Sequence, residues 1–142
     1  MSGCLLDTNV LSELRRVQRA NPRVRAWFEG VDEGDLFVSV LALGEIRNGI
    51  ERIRASDPVQ AQALERWLRE LERSFAGHVL PVTAAIADRW GRLNAPNPMP
   101  VVDSLMAATA LEHDLILITR DVQDVAPTGV GLLNPFLPSE SH

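Results

Sequence analysis

Four carboxylates stand where the apolar runs of this chain end or begin. Asp7 closes the run Gly3-Cys4-Leu5-Leu6, and Asp121 follows Leu115-Ile116-Leu117-Ile118 in the segment Thr119-Arg120-Asp121. Asp103 comes just after Pro100, beside Val101-Val102 and Leu105-Met106, which should hold its backbone against a core. Glu45 lies about 100° round a helix from Ile46, on the shoulder of an apolar face, where a carboxylate is expected to be half-buried. Brought within a few ångströms of one another, such groups repel by about 4 kcal/mol per close pair at an effective dielectric of about 20, so a bound divalent cation is the natural compensation.

Taken singly, each acid also has a structural reading. Asp7 could cap a helix starting at Thr8, Asp103 could complement a helix dipole, Asp121 could close an Asx turn, and Glu45 could pair with Arg47 or Arg52 at the surface. What favours chemistry is the elements that carry all four. Leu5-Leu6 reads as a strand, followed by a helix with Val10, Leu11 and Leu14; a second helix starts near Pro22 and carries Val24, Trp27 and Phe28. Leu36 to Val40 is a second strand. Leu43, Ile46, Ile50 and Ile53 then line one helix, and Leu64, Trp67, Leu68 and Leu71 line another from Pro58 to Phe75, the two forming a hairpin.

Val79 to Val82 is a brief strand, Thr83 an N-cap, and Ala84 to Leu93 a helix containing Trp90. Pro96, Pro98 and Pro100 force a loop before a helix that runs to His113-Asp114. Leu115 to Thr119 should be a central strand, and Leu132-Leu133 a last one. Strands buried on both faces and separated by helices predict a three-layer α/β/α fold with a central, mainly parallel sheet. In such sheets ligands sit beyond the carboxyl ends of the strands, where Asp7 and Asp121 fall.

Composition narrows the function. The 142 residues suit one domain, no apolar run approaches the roughly 18 residues of a membrane span, and the one cysteine, Cys4, fits an apolar strand position in a reducing compartment. Met1-Ser2-Gly3-Cys4 shows neither a secretory signal nor a lipid anchor, so a cytoplasmic protein is expected. A net charge of −5 argues against a general nucleic-acid coat but not against a nucleic-acid enzyme. All 14 basic residues are Arg, a type suited to bidentate phosphate contacts. His78, His113 and His142 lack metal-ligand spacing, and no Ser or Cys forms a nucleophile motif with them. There is no phosphate-loop Lys, and Gly129-Val130-Gly131 is no dinucleotide fingerprint. Trp27, Trp67 and Trp90 fall on apolar helical faces, as core or dimer residues rather than base-stacking platforms.

Four blocks in order then carry a family resemblance: Leu6-Asp7-Thr8-Asn9-Val10-Leu11-Ser12-Glu13-Leu14; Ser39 to Arg47 with Glu45, and Gly49-Ile50-Glu51; Pro100-Val101-Val102-Asp103 with Ala107 to Ala110; and Ile118-Thr119-Arg120-Asp121. They resemble the PIN-domain ribonucleases, and among them the VapC and FitB toxins of toxin–antitoxin pairs. The similarity runs from about Leu5 to Leu133-Asn134-Pro135-Phe136, which sets a PIN domain over residues 1–136 and a C-terminal tail over 137–142. Many relatives carry Asn at position 121 and an aromatic at 125, where this chain has Asp121 and Val125.

The resemblance implies an endoribonuclease dependent on Mg²⁺ or Mn²⁺, in which metal-activated water hydrolyses RNA phosphodiesters. Asp7 and Asp103 would bind the ion directly, Glu45 would hold a water of its shell, and Asp121 would complete the site or serve a second ion. Thr8, Asn9 and Thr119 would orient these groups, while Asp124 reads as a solvated loop acid. Arg47, Arg52, Arg54 and Arg120 are candidates for a positive rim. A homodimer and a small VapB-like antitoxin partner are implied as well. Two other readings stay open: a receiver-like phosphoacceptor, against which the absence of Lys counts, and a catalytically silent PIN-like interaction module.

Overall fold

The structure, a computed structural model, describes residues 3–16 and 19–138. Met1, Ser2, His142 and most of the expected tail over 137–142 lie outside the described residues. The elements, in chain order, are β1 (Cys4–Leu6), α1 (Thr8–Leu14), α2 (Pro22–Glu29), β2 (Leu36–Ser39), α3 (Val40–Ile53), α4 (Pro58–Ser74), β3 (Val79–Leu80), α5 (Ala84–Asn94), α6 (Val101–Glu112), β4 (Ile116–Ile118), α7 (Val122–Val125) and β5 (Leu132–Leu133). Apart from α7, which turns the segment around Asp124 from the expected loop into one helical turn, this is the alternation the hydrophobic pattern predicts, and α3 and α4 pack together as the expected hairpin.

All five strands are parallel, in the order β3-β2-β1-β4-β5. The middle strand is β1, whose Leu5 and Leu6 are fully buried; β4 is its interior neighbour, paired through Cys4 with Ile116, Leu5 with Leu117 and Leu6 with Ile118. Burying a leucine of this kind contributes roughly 1.5–3 kcal/mol, so strands of only three residues can still anchor the sheet. At the entry to β1 a side chain on Gly3 would meet Leu115 Cδ2 at 2.8 Å and the Asp35 carbonyl at 3.1 Å, so a larger residue there would have to push the Leu115 side chain aside. Cys4 is buried, and burial raises its thiol pKa, as an inert apolar position requires.

Local signals set the helix starts. Pro22 and Pro58 begin α2 and α4 behind the caps Asn21 and Asp57, and Thr83 caps α5 by accepting from the Ile86 N–H at 3.2 Å. The tryptophans go to packing. Trp27 and Trp67 lie partly buried against the core, and Trp90 Nε1 donates to the buried Ser104 Oγ at 2.8 Å, tying α5 to α6. Among the described residues no helix is long and apolar enough to cross a membrane.

The sheet order has a consequence for function. From β1 the chain builds outward to β2 and β3 on one side, then returns to build β4 and β5 on the other. A crevice therefore opens beyond the carboxyl ends of β1 and β4, where the direction of winding reverses, and ligands of open parallel sheets bind at such points.

Candidate active site

Asp7 leaves the end of β1 and Asp121 follows the end of β4, so both flank this crevice; Asp103, in the first turn of α6, reaches it from the helix that leads into β4. One carboxylate oxygen from each of Asp7, Asp103 and Asp121 lies within 4.8 Å of the others. Asp7 is buried and heavily bonded. Its Oδ1 accepts the Thr8 N–H at 2.7 Å, and its Oδ2 accepts the Thr119 hydroxyl at 2.6 Å and the Asn9 side-chain amide at 3.3 Å.

Asn9 and Thr119 link the two strand ends. The Asn9 amide also donates to Asp121 Oδ2 at 3.0 Å, and its carbonyl oxygen accepts the Arg120 N–H at 3.3 Å. Thr119 Oγ1 in turn accepts the Asp121 N–H at 3.0 Å. The structural readings of the acids separate here. Asp7 does cap α1 and joins the cluster as well, whereas Asp121 precedes α7 without any side-chain capping bond. Its carboxylate is spent on the cluster, not on a turn.

Glu45 stands at the side. The Thr8 hydroxyl donates to its Oε1, and its charge acts on both Asp7 and Asp103, but it is outside the close triad. It is also exposed rather than half-buried. Ala42, Ile46 and Ile50 take the core-facing stripe of α3, and Glu45, one step round, meets open solvent. The apolar seat expected for Asp103 is likewise uneven: Met106 is fully buried and Val102 partly, but Val101 is 56% exposed.

Electrostatics show what the cluster does to its members. Burial, and then the charges of Asp7, Asp121, Glu45 and Asp124, push the Asp103 carboxyl from the ordinary 3.8 up to about 6. The start of a helix lowers a carboxyl pKa, so here burial and like charge outweigh the dipole. Asp7 is raised too, chiefly by burial, against the opposing hydrogen bonds from Thr119 and Thr8. Asp124, which the sequence reads as a solvated loop acid, is exposed as expected but lies in the single turn of α7, and its charge is felt at Asp103. The donors are all hard oxygens, and the charges acting on Asp103 are all negative, so the cluster fits Mg²⁺ or Mn²⁺ and no soft metal.

The arginine rim expected from sequence is corrected in part. Arg47 and Arg54 do not face a ligand; they pair with Glu51 and Glu65, joining α3 to α4. Arg52 is exposed. Arg120 lies with its guanidinium 3.9 Å from the centroid of the Phe136 ring, a contact that sequence reasoning missed. The only signal for it was the position of Asn134-Pro135-Phe136 after the last strand.

Carboxylates gathered at the switch point of an all-parallel α/β sheet define an α/β protein with an acid-lined crevice whose oxygen donors fit a divalent cation. The family model described as PIN domain matches residues 4–123, and the chain belongs to the PIN-domain family. It is 31% identical over 139 residues to Toxin FitB of Neisseria gonorrhoeae, covering 93% of this chain and 97% of that protein. It is 28% identical over 140 residues to VapC ribonuclease Y4jK of Sinorhizobium fredii, covering 95% and 99%. The fold is similar to the crystal structure of FitAcB from Neisseria gonorrhoeae, with a TM-score of 0.84, 29% identity and coverage of 94% of this chain and 98% of that one. It is also similar to the structure of FitAB bound to the IR36 DNA fragment, with a TM-score of 0.82, 27% identity and coverage of 98% and 99%.

Proposed function

We propose that this chain is a divalent-metal-dependent endoribonuclease and the toxin of a toxin–antitoxin pair, acting in the cytoplasm as a homodimer with its PIN domain spanning residues 1–136. The observation that carries the reading is the triad of carboxylate oxygens within 4.8 Å, one of them raised to about 6, which is costly unless a cation compensates it. The relatives named Toxin FitB and VapC ribonuclease, and the FitAB structure, support the activity and a VapB-like antitoxin partner.

In this reading Asp7, Asp103 and Asp121 hold Mg²⁺ or Mn²⁺. When bound, the ion supplies Lewis acidity at the phosphodiester and lowers the pKa of a water. Asp7 presents a fixed edge because Thr8, Asn9 and Thr119 occupy its other lone pairs. Glu45, oriented by the Thr8 hydroxyl, holds a water at the open side of the crevice. Water adds to phosphorus as the bond from phosphorus to the 3′ oxygen breaks; that oxygen takes up a proton, leaving a 3′-hydroxyl and a 5′-phosphate.

The test is cleavage of total bacterial RNA with end mapping, comparing wild type with Asp103→Asn in Mg²⁺, Mn²⁺ and EDTA. Cuts that need the ion, vanish in the variant and end in 5′-phosphate are expected. Equal cutting by Asp103→Asn, or cutting undiminished in EDTA, would reject the site.

A further inference from the structure

An acidic crevice repels the polyanion it is to cut, so some fixed positive group must hold the strand beside it. Two of the four arginines offered by the sequence, Arg47 and Arg54, are consumed by ion pairs with Glu51 and Glu65. Arg120 differs. It stands between Thr119 and Asp121, whose side chains turn inward to Asp7 and Asn9. With Asp121 as its chain neighbour and Asp124 close by, a guanidinium would be expected to collapse onto a carboxylate. No ion pair forms there among the described residues; Arg120 turns outward and lies 3.9 Å from the centroid of the Phe136 ring.

The backbone around it is fixed from both sides. The Arg120 N–H donates to Asn9 Oδ1 at 3.3 Å, and its carbonyl accepts from Asn134 Nδ2 at 3.5 Å. Asn134 Oδ1 accepts the Phe136 N–H at 3.0 Å, so the same asparagine that grips the Arg120 backbone also sets the turn carrying its aromatic platform. Phe136 itself packs against the core. An aromatic face takes one face of the guanidinium and leaves its edge, with the N–H donors, open to solvent. Such an edge matches the two terminal oxygens of a phosphate in a bidentate pair.

We propose that Arg120, held on Phe136 and away from the neighbouring acids, is a phosphate-binding residue that anchors the backbone of a single-stranded RNA at a phosphate flanking the cleavage point. The inference rests on the ribonuclease reading above and adds to it the group that lets a strand approach an acidic site. Phe136 and Asn134 are positioning residues, acting through Arg120.

The experiment uses the full chain and a fluorescein-labelled 20-nucleotide single-stranded RNA of mixed sequence, titrated by anisotropy in EDTA from 50 to 300 mM NaCl. Arg120→Ala is expected to weaken binding about five- to tenfold at the low-salt end and to reduce the slope of log K against log salt by about 0.7, the value of one phosphate contact on a single strand. Arg120→Lys should keep the slope and recover part of the affinity. Phe136→Leu should keep the slope and weaken binding about threefold, since the charge remains but its preorganisation is lost. Arg66→Ala, an exposed arginine on α4, is the charge-matched control and should leave both quantities unchanged.

Wild-type binding with an unaltered slope and affinity in Arg120→Ala would overturn the anchor alone. A loss of affinity at constant slope would make the contact one of base stacking, and would equally overturn it. Failure of the wild type to bind RNA at all, in EDTA or in Mg²⁺, would count against the ribonuclease reading itself and take the anchor with it.

Discussion

Two clusters of ionisable groups sit on this small domain and are built on opposite rules. Across α3 and α4, Arg47 pairs with Glu51 at 3.1 Å and Glu65 at 2.9 Å, Arg54 with the same two acids, and Arg69 with Glu65 at 2.8 Å. Every charge there has an opposite neighbour, and the hydrogen bond from Arg54 leads in lowering the Glu51 carboxyl to about 2. At the sheet end the acids have only one another and neutral donors, and Asp103 rises to about 6. The same side-chain type is thus driven in opposite directions, by partner sign and by burial. A surface lattice of satisfied pairs stabilises little and asks for no ligand; a cluster of unsatisfied like charges asks for one.

The comparison breaks most readily at Asp103. Among the described residues no side-chain hydrogen bond holds it, so Asp103→Asn removes a charge without dismantling the network around Asp7. Cleavage should fall about a thousandfold or more, because a ligand to the ion is worth several kcal/mol in the transition state. Circular dichroism should show an unchanged fold. Retained cleavage would mean that the sheet-end cluster is no more chemical than the α3–α4 lattice.

Thr119→Val tests whether the neutral donors matter as the argument requires. It removes the 2.6 Å bond to Asp7 and the acceptor for the Asp121 N–H, leaving both carboxylates less well aimed. Losing the partner of a ligating carboxylate costs about 10- to 100-fold in activity or metal affinity, and the lost hydrogen bonds about 1 kcal/mol each in stability. The activity loss should shrink at high Mg²⁺ if it arises through the ion. Rescue by Thr119→Ser would separate the hydroxyl from the packing of this buried residue.

A third effect is smaller and has a definite sign. A carboxyl raised in the folded state keeps its proton between 3.8 and about 6 while the unfolded chain has already lost it. Metal-free protein should therefore lose stability as pH rises through that window, and the loss should level off above it. Asp7, also raised, adds in the same direction. Melting temperature in EDTA should be lower at pH 7.5 than at pH 5, Mg²⁺ should reverse most of the difference, and Asp103→Asn should flatten the profile. A melting temperature that climbs with pH in EDTA would show that paired acids, not the cluster, govern the pH response.

The alternation of apolar runs marks the strands and the longer helices to within a residue or two, because one buried sheet with helices on both faces leaves a strong periodic signal; α7 (Val122–Val125), a single turn in a segment that reads as loop, is too short to leave one. Asp7 and Asp121 could be located as well, since both follow strands and strand ends define the crevice. What escaped was whatever depends on side chains meeting across distant segments. The angle of Glu45 to Ile46 predicts a half-buried carboxylate but says nothing of whether a neighbouring element covers it, and among the described residues none does. Arg47 and Arg54 looked available because their partner Glu65 arrives on another helix, 18 and 11 residues further along. The Arg120 stack depends on Phe136, which is brought back only by β5.

Glu65→Gln is expected to do least and sharpens the contrast from the other side. Glu65 takes bonds from Arg47, Arg54 and Arg69, whereas Glu51 takes them from Arg47 and Arg54 alone, so losing the Glu65 charge touches more arginines than losing that of Glu51. Yet the arginine ends of these pairs are open to solvent, the amide can still accept, and ions screen what remains. The melting temperature should move only slightly, less in 0.5 M NaCl than in 50 mM, and RNA cleavage should stay at the wild-type level. An appreciable loss of cleavage would show that freeing Arg47 and Arg54 alters the crevice, and that the two clusters are electrostatically coupled rather than independent.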